Sequence, residues 1–169
     1  MSDASESARV RITIADYIVI DQQGKATIVG AGVTIAGVNL QSGMTAPFAV
    51  LVSASFAPQF VGEDPAVELS LETEDHQLVQ MPGLLDSTGQ PQYLRVATSE
   101  KLLPTVLPGA NIPADIIRPK AQILLNFQNG LPLAPGHAYV WRVKIDGDTR
   151  PEWTEMLYVP TASAGPVLG

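Results

Sequence analysis

Glycine and proline interrupt this chain too often to leave room for long helices. Fourteen of each are spread over 169 residues without a collagen-like period, and they end every candidate element within a few residues. Aromatic bulk is limited to four Phe, four Tyr and two Trp. The core must therefore be built mainly from Val, Ile, Leu and Ala, and β-branched side chains fit a pleated, half-buried surface best. One domain with a substantial interior is the natural unit for this length.

Alternation of apolar and polar residues places the strands. Residues 1–8 read as a flexible polar tail. Val10, Ile12 and Ile14 then alternate with Arg11, Thr13 and Ala15, and Tyr17-Ile-Val-Ile20 continues as a more buried run. Asp21-Gln-Gln-Gly24-Lys25 is a turn, and Ala26 to Val29 returns as its hairpin partner. Val33 to Leu40 is a further extended piece, and Phe48 to Phe56 a buried strand. Val67, Leu69 and Leu71 alternate with Glu68, Ser70 and Glu72, which predicts a half-exposed strand with an acidic outer face. Near the end, Ala121 to Phe127, Tyr139 to Ile145 and Trp153 to Val159 are strands, the last two joined by the turn Asp146-Gly147-Asp148. About eight short strands separated by turn signals predict an all-β, immunoglobulin-like antiparallel sandwich over residues 9–159. An extended tail is expected at 160–169.

Residues 80–119 do not follow this pattern. Pro82, Pro91, Pro104, Pro108, Pro113 and Pro119 break them up, leaving a short strand at Tyr93–Ala97. Yet Leu102, Leu103, Val106, Leu107, Ile112, Ile116 and Ile117 make the segment strongly apolar. A long, oily, proline-stiffened insertion is not a solvated linker. It folds over the sandwich edge or docks on another subunit, and these seven residues are the expected partner-binding set.

Charge excludes one class of partner. The chain carries −7 at neutral pH, and the longest basic run is Arg9-Val-Arg11, whereas nucleic-acid binders gather basic residues on one face. No nucleic acid is expected. Cysteine is absent, which removes disulfides, thiolate metal sites and Cys nucleophiles. The polar opening Met-Ser-Asp-Ala-Ser-Glu-Ser lacks the features of a signal peptide, and no stretch is long enough for a membrane-spanning helix.

Signals that suggest chemistry have simpler explanations. Ala26-Thr-Ile-Val-Gly30-Ala-Gly32 resembles a dinucleotide-binding turn, but Ile35 stands where the third glycine is required, and no helix follows. Glycines within strands mark bulges or close backbone approaches. Glu63, Asp64, Glu68, Glu72, Glu74 and Asp75 form an acidic group without EF-hand spacing, best read as a solvated face or a surface for a basic partner. His76 and His137 lie beside turns, and no Gly-x-Ser-x-Gly nucleophile elbow occurs. Trp141 keeps the alternation of a core anchor. Trp153, flanked by Pro151 and Glu152, is expected to be partly exposed and joins the candidate contact residues.

Asp16-Tyr-Ile-Val-Ile-Asp21-Gln-Gln-Gly24-Lys25-Ala-Thr-Ile-Val-Gly30-Ala-Gly32 resembles the opening of an uncharacterised family of bacterial and phage β-proteins. Leu131-Pro-Leu-Ala-Pro-Gly136-His-Ala-Tyr139-Val-Trp141-Arg-Val-Lys-Ile145-Asp-Gly147 resembles the closing hairpin of the same family. The resemblance implies an immunoglobulin-like sandwich and, through the phage members, a place in a virion. It carries no activity and no catalytic residues.

The expectation is therefore a non-enzymatic structural or interaction protein without cofactor or metal. It would be a head decoration or head–tail accessory protein that binds capsid or tail subunits and forms homo-oligomers, located in the virion or the bacterial cytoplasm. The alternative is a cytoplasmic module that holds a small ligand or peptide on its Trp153 side. A third class, a hydrolase, would draw paired carboxylates from Glu68 and Glu72.

Overall fold

The computed structural model describes residues 1–106, 108–113 and 115–161, without the side chains of 83 and 84. Its elements run in chain order α1 (Asp3–Ser7), β1 (Arg9–Ile20), β2 (Ala26–Ala31), β3 (Val38–Asn39), β4 (Met44–Thr45), β5 (Phe48–Ser55), β6 (Val67–Thr73), β7 (Gln80–Leu85), β8 (Pro91–Tyr93), β9 (Arg95–Thr98), β10 (Lys120–Phe127), β11 (His137–Ile145) and β12 (Thr154–Val159). One four-stranded sheet has the order β10-β5-β1-β2 and the other β12-β11-β6-β9. All neighbours in both sheets are antiparallel. With β1, β5 and β10 as strands A, B and E, and β6, β9, β11 and β12 as C, C′, F and G, this is the strand order of an immunoglobulin-like sandwich. The short pairs β3-β4 and β7-β8 are additions.

Alternation supplies the interior. Val50, Val52, Val67, Leu69, Leu71, Trp141, Val143, Ile145 and Leu157 are wholly or almost wholly buried between the sheets. Trp141 lies 5.8 Å from the Phe127 ring, which in turn lies 5.1 Å from Phe48. Tyr139, near the start of β11, turns its hydroxyl back on the preceding corner. It accepts from the Ala134 N–H at 2.9 Å and donates to the Ala134 carbonyl at 3.3 Å. This is the tyrosine corner of immunoglobulin-like domains, and burial raises the pKa of the phenol.

The first hairpin departs from the sequence expectation. Ile18 is buried, but Tyr17 and Val19 are exposed, and every residue of β2 is exposed. Ile18 and Ile20 pack with Ala15, Ala49, Leu51 and Leu124, a second cluster separate from the main core. The Gly24 turn reaches Gln122 of β10. The hairpin thus folds over the outer face of its own sheet and covers Leu51 and Leu124. Gly30 makes the bend: its φ is +67°, and a Cβ there would fall 2.0 Å from the Asp16 carboxylate. Gly32, at φ +92°, lies where its own N–H and that of Val33 both donate to the Ile14 carbonyl. These glycines therefore serve the bulge and close approach that the sequence suggested.

Beyond β2, Thr34 to Ala36 run along β12. Tyr158 N–H donates to Thr34 O at 2.8 Å, and Ala36 N–H to Tyr158 O at 2.9 Å.

Residues 1–8 are not a loose tail. Ser2 caps α1, accepting from the Ser5 N–H, and Ala4, Ser5 and Ala8 are buried. The helix is tied to the β11–β12 turn: Ser2 N–H and Ser5 Oγ each donate to Asp148 Oδ2, at 2.7 and 2.8 Å. A polar composition concealed these long-range partners. The expected extended tail falls mostly outside the described residues, at 162–169.

The hydrogen bond from the Ser2 backbone, followed by that from the Ser5 hydroxyl, lowers the pKa of Asp148. A carboxylate with a lowered folded-state pKa stabilises the fold above about pH 4 and loses that effect as pH falls through the lowered value. The protection of the Ser5 and Glu6 amides, taken relative to their intrinsic exchange rate at each pH, should therefore fall on acidification before the sandwich opens. Asp148→Asn should produce much of that loss of protection at neutral pH. Equal protection in the variant would exclude the latch.

Candidate functional site

The insertion expected at 80–119 divides into two parts. Its first half belongs to the sandwich. β7 and β8 form a hairpin turned by Asp86, whose Oδ1 accepts from Thr88 N–H, Thr88 Oγ1 and Gln90 N–H. The Thr88 hydroxyl is the largest of the contacts that lower this carboxyl's pKa. β9 then pairs with β6, and Leu94 is buried beside it. The expected strand at Tyr93–Ala97 is thus the β8–β9 region.

The second half is a loop clamped at both ends. Leu102 is 1% exposed, and its backbone pairs with the segment after β5, Leu102 N–H to Glu63 O and Gly62 N–H to Leu102 O, both at 2.8 Å. At the other end, Phe56 N–H donates to Pro119 O, and the Arg118 guanidinium donates to the Ser7 and Ser55 carbonyls. Between the clamps, Leu103, Val106 and Ile116 stand 70%, 77% and 67% exposed. Ile117 is less exposed and Ile112 half-buried. Val61, Val106, Ile112, Pro113 and Ile117 line a shallow cleft of about 240 Å³, below the roughly 300–1,000 Å³ of small-molecule pockets. Leu107 lies outside the described residues.

Two members of the expected contact set require correction. Leu102 is a core residue because the chain dives back to pair with residues 62–63 at that point. Trp153 is 2% exposed and covered by the Arg150 guanidinium, 5.1 Å from its ring centre. Its neighbours Pro151 and Glu152 are exposed, which made the tryptophan look accessible. Trp153 therefore presents no open ring face at the surface.

The acidic strand face is also different from the expectation. Glu72 and Ser70 are buried, and Glu68 is largely covered. Glu72 accepts from Arg142 Nε at 2.8 Å, with His76 Nδ1 at 3.8 Å. Glu68 pairs with Arg95 and, at 3.9 Å, with Lys144. Strand register supplies the partners, since Arg142 lies beside Glu72's neighbour Ser70 on β11, and Arg95 is paired with Ser70 on β9. Each carboxylate is held by a cation, so the pair expected of a hydrolase is committed to ion pairs. His137 is exposed at the start of β11. Among the described residues no group of three His, Asp or Glu side chains is arranged for a metal ion.

No family model matches this chain, and no curated protein does. Among solved structures it is similar to an immunoglobulin-like protein from Pseudomonas aeruginosa. The two are 18% identical, the match covers 89% of this chain and 96% of that one, and the TM-score is 0.38. The fold assignment rests on the strand order itself.

Two substitutions separate scaffold from surface. Leu102→Ala should cost about 2–5 kcal/mol in urea unfolding, whereas Leu103→Ala should stay within about 0.5 kcal/mol. Glu72→Ala should cost about 2–3 kcal/mol because it strands Arg142. Removing both partners, as Glu72→Leu with Arg142→Leu, should cost less. A double variant as unstable as the single one would show that the pair is not the cause.

Proposed function

We propose that this protein is a non-enzymatic interaction module that docks on neighbouring protein subunits through residues 103–117. A phage virion, with the protein as a head decoration or head–tail accessory component, is the setting in which we place it. One observation carries the reading: Leu103, Val106 and Ile116 are exposed on a loop whose two ends are fixed in the core. Burying each such side chain yields about 1.5–3 kcal/mol, against an ordering cost of about 0.5–1.5 kcal/mol per side chain. Pro104, Pro108 and Pro113 stiffen the loop, which lowers that cost before any partner arrives. A loop of this kind is prepared for a protein surface rather than for solvent.

The test is a photo-crosslinking amino acid placed at Val106, with Lys25 as an exposed control, in the organism that makes the protein. A discrete protein adduct is expected at Val106 and none at Lys25. An adduct to a capsid or tail protein would support the virion setting. No adduct at Val106, or equal labelling at both positions, would overturn the docking reading.

A further inference from the structure

Basic residues that are scattered in the sequence meet on one face of the fold. On the outer face of the first sheet, Arg9, Ser55 and Lys120 stand side by side across β1, β5 and β10. Arg11, Ser53 and Gln122 form the next row. With strands about 4.8 Å apart and about 7 Å between alternate residues, three cations share a patch about 10 Å wide. Arg118 adds a fourth at its border, where burial and then the charge of Arg9 lower its pKa. None of the four takes part in an ion pair among the described residues. Four of the chain's ten bases are thus drawn to one face, in a chain that carries seventeen acids.

The surroundings of the patch complete a pattern. Ile116 and Ile117 lead directly into Arg118, and Ile117 shares the apolar cleft with Val61 and Val106. Val61 leads in turn to Glu63 and Asp64, which are exposed, unpaired among the described residues, and line an open cleft with Asp146. Through Ile117 and Val61, apolar residues therefore link the basic face to the acidic cleft. A strip in that order is self-complementary under a two-fold rotation, which lays apolar on apolar and brings each basic end to an acidic one.

We infer that the partner of this surface is a second copy of the chain, in an isologous dimer with Leu103, Val106, Ile116 and Ile117 at its centre and Arg9, Arg11 and Lys120 facing Glu63 and Asp64 of the other copy. Nucleic acid fits less well. Residues 99–119 contain no aromatic side chain on which bases could stack, and four cations on an acidic molecule are few for a duplex. The inference deepens the docking reading by naming the partner.

Sedimentation velocity of the full chain in about 20 mM and about 500 mM salt tests it. A dimer is expected in low salt, with affinity falling at least about tenfold in high salt. Arg9→Glu with Lys120→Glu should be monomeric alone, and so should Glu63→Lys with Asp64→Lys. Mixing the two variants should restore a dimer, because both ends of the strip are then matched again. Circular dichroism of each variant checks that it is folded, and the rescue cannot come from misfolded chains. A wild-type monomer at every salt, or a dimer indifferent to salt and to both charge reversals, would overturn the inference. A monomer that still forms an adduct to another protein at Val106 removes the second copy and leaves the docking reading intact. A salt-sensitive dimer unaffected by Leu103→Asp with Val106→Asp would overturn both, since the loop would then lie outside the contact.

Discussion

Without cysteine, the two sheets are held together chiefly by apolar burial, and that burial centres on Trp141. Immunoglobulin-like domains commonly pin their sheets with a disulfide packed against a tryptophan. Here a tryptophan on strand F lies against Phe127 of strand E, with Phe48 of strand B behind it. Val50, Val52, Leu69, Leu71, Val143 and Leu157 complete a dry layer around them. The Trp141 indole nitrogen has no hydrogen-bond partner among the described residues, an unmet group whose cost is typically about 1–3 kcal/mol. The ring's apolar area, at about 25 cal/mol per Å², outweighs that loss. Other features of the fold follow from the need to keep this layer closed. The tyrosine corner fixes the entry to strand F, and Leu102 anchors the returning loop.

A single sheet face ordinarily meets either core or water, but the outer face of the first sheet meets both. Its far half, with Leu51 and Leu124, is roofed by the β1–β2 hairpin. Its near half carries the serines and the uncovered basic side chains. The division depends on one bend, where Asp16 passes a residue that has no side chain to obstruct it. The same strand therefore contributes Ile14 to the main core and Ile18 to the second one.

Much of this architecture was legible in the sequence. Period-two alternation marked the strands of both main sheets, while the extended piece expected at Val33 to Leu40 supplies only β3 of a separate two-stranded sheet. What could not be read was whatever depends on register between distant strands. Glu68 and Glu72 alternate like solvated residues, and nothing local shows that Arg95 and Arg142 will lie against them. Arg9 and Lys120 are 111 positions apart, and only their shared neighbour Ser55 brings them together. Leu102 and Leu103 are identical to any hydropathy measure, yet one is core and the other surface. Trp153 misled for a different reason: its exposed neighbours are a turn, and the side chain itself points inward under Arg150. Of the candidate docking set, the apolar character was visible in the sequence, but the clamps that present it were not.

The strip Thr34–Ala36 along β12 has a consequence for how such molecules can meet. A bare strand edge invites a foreign strand to zip onto it, the route by which β-proteins fuse into fibrils. Here the chain supplies its own short length of backbone there, and Tyr158 spends its hydrogen bonds on Thr34 and Ala36. At Tyr158 the edge is already paired, which hinders a second copy from adding a strand there.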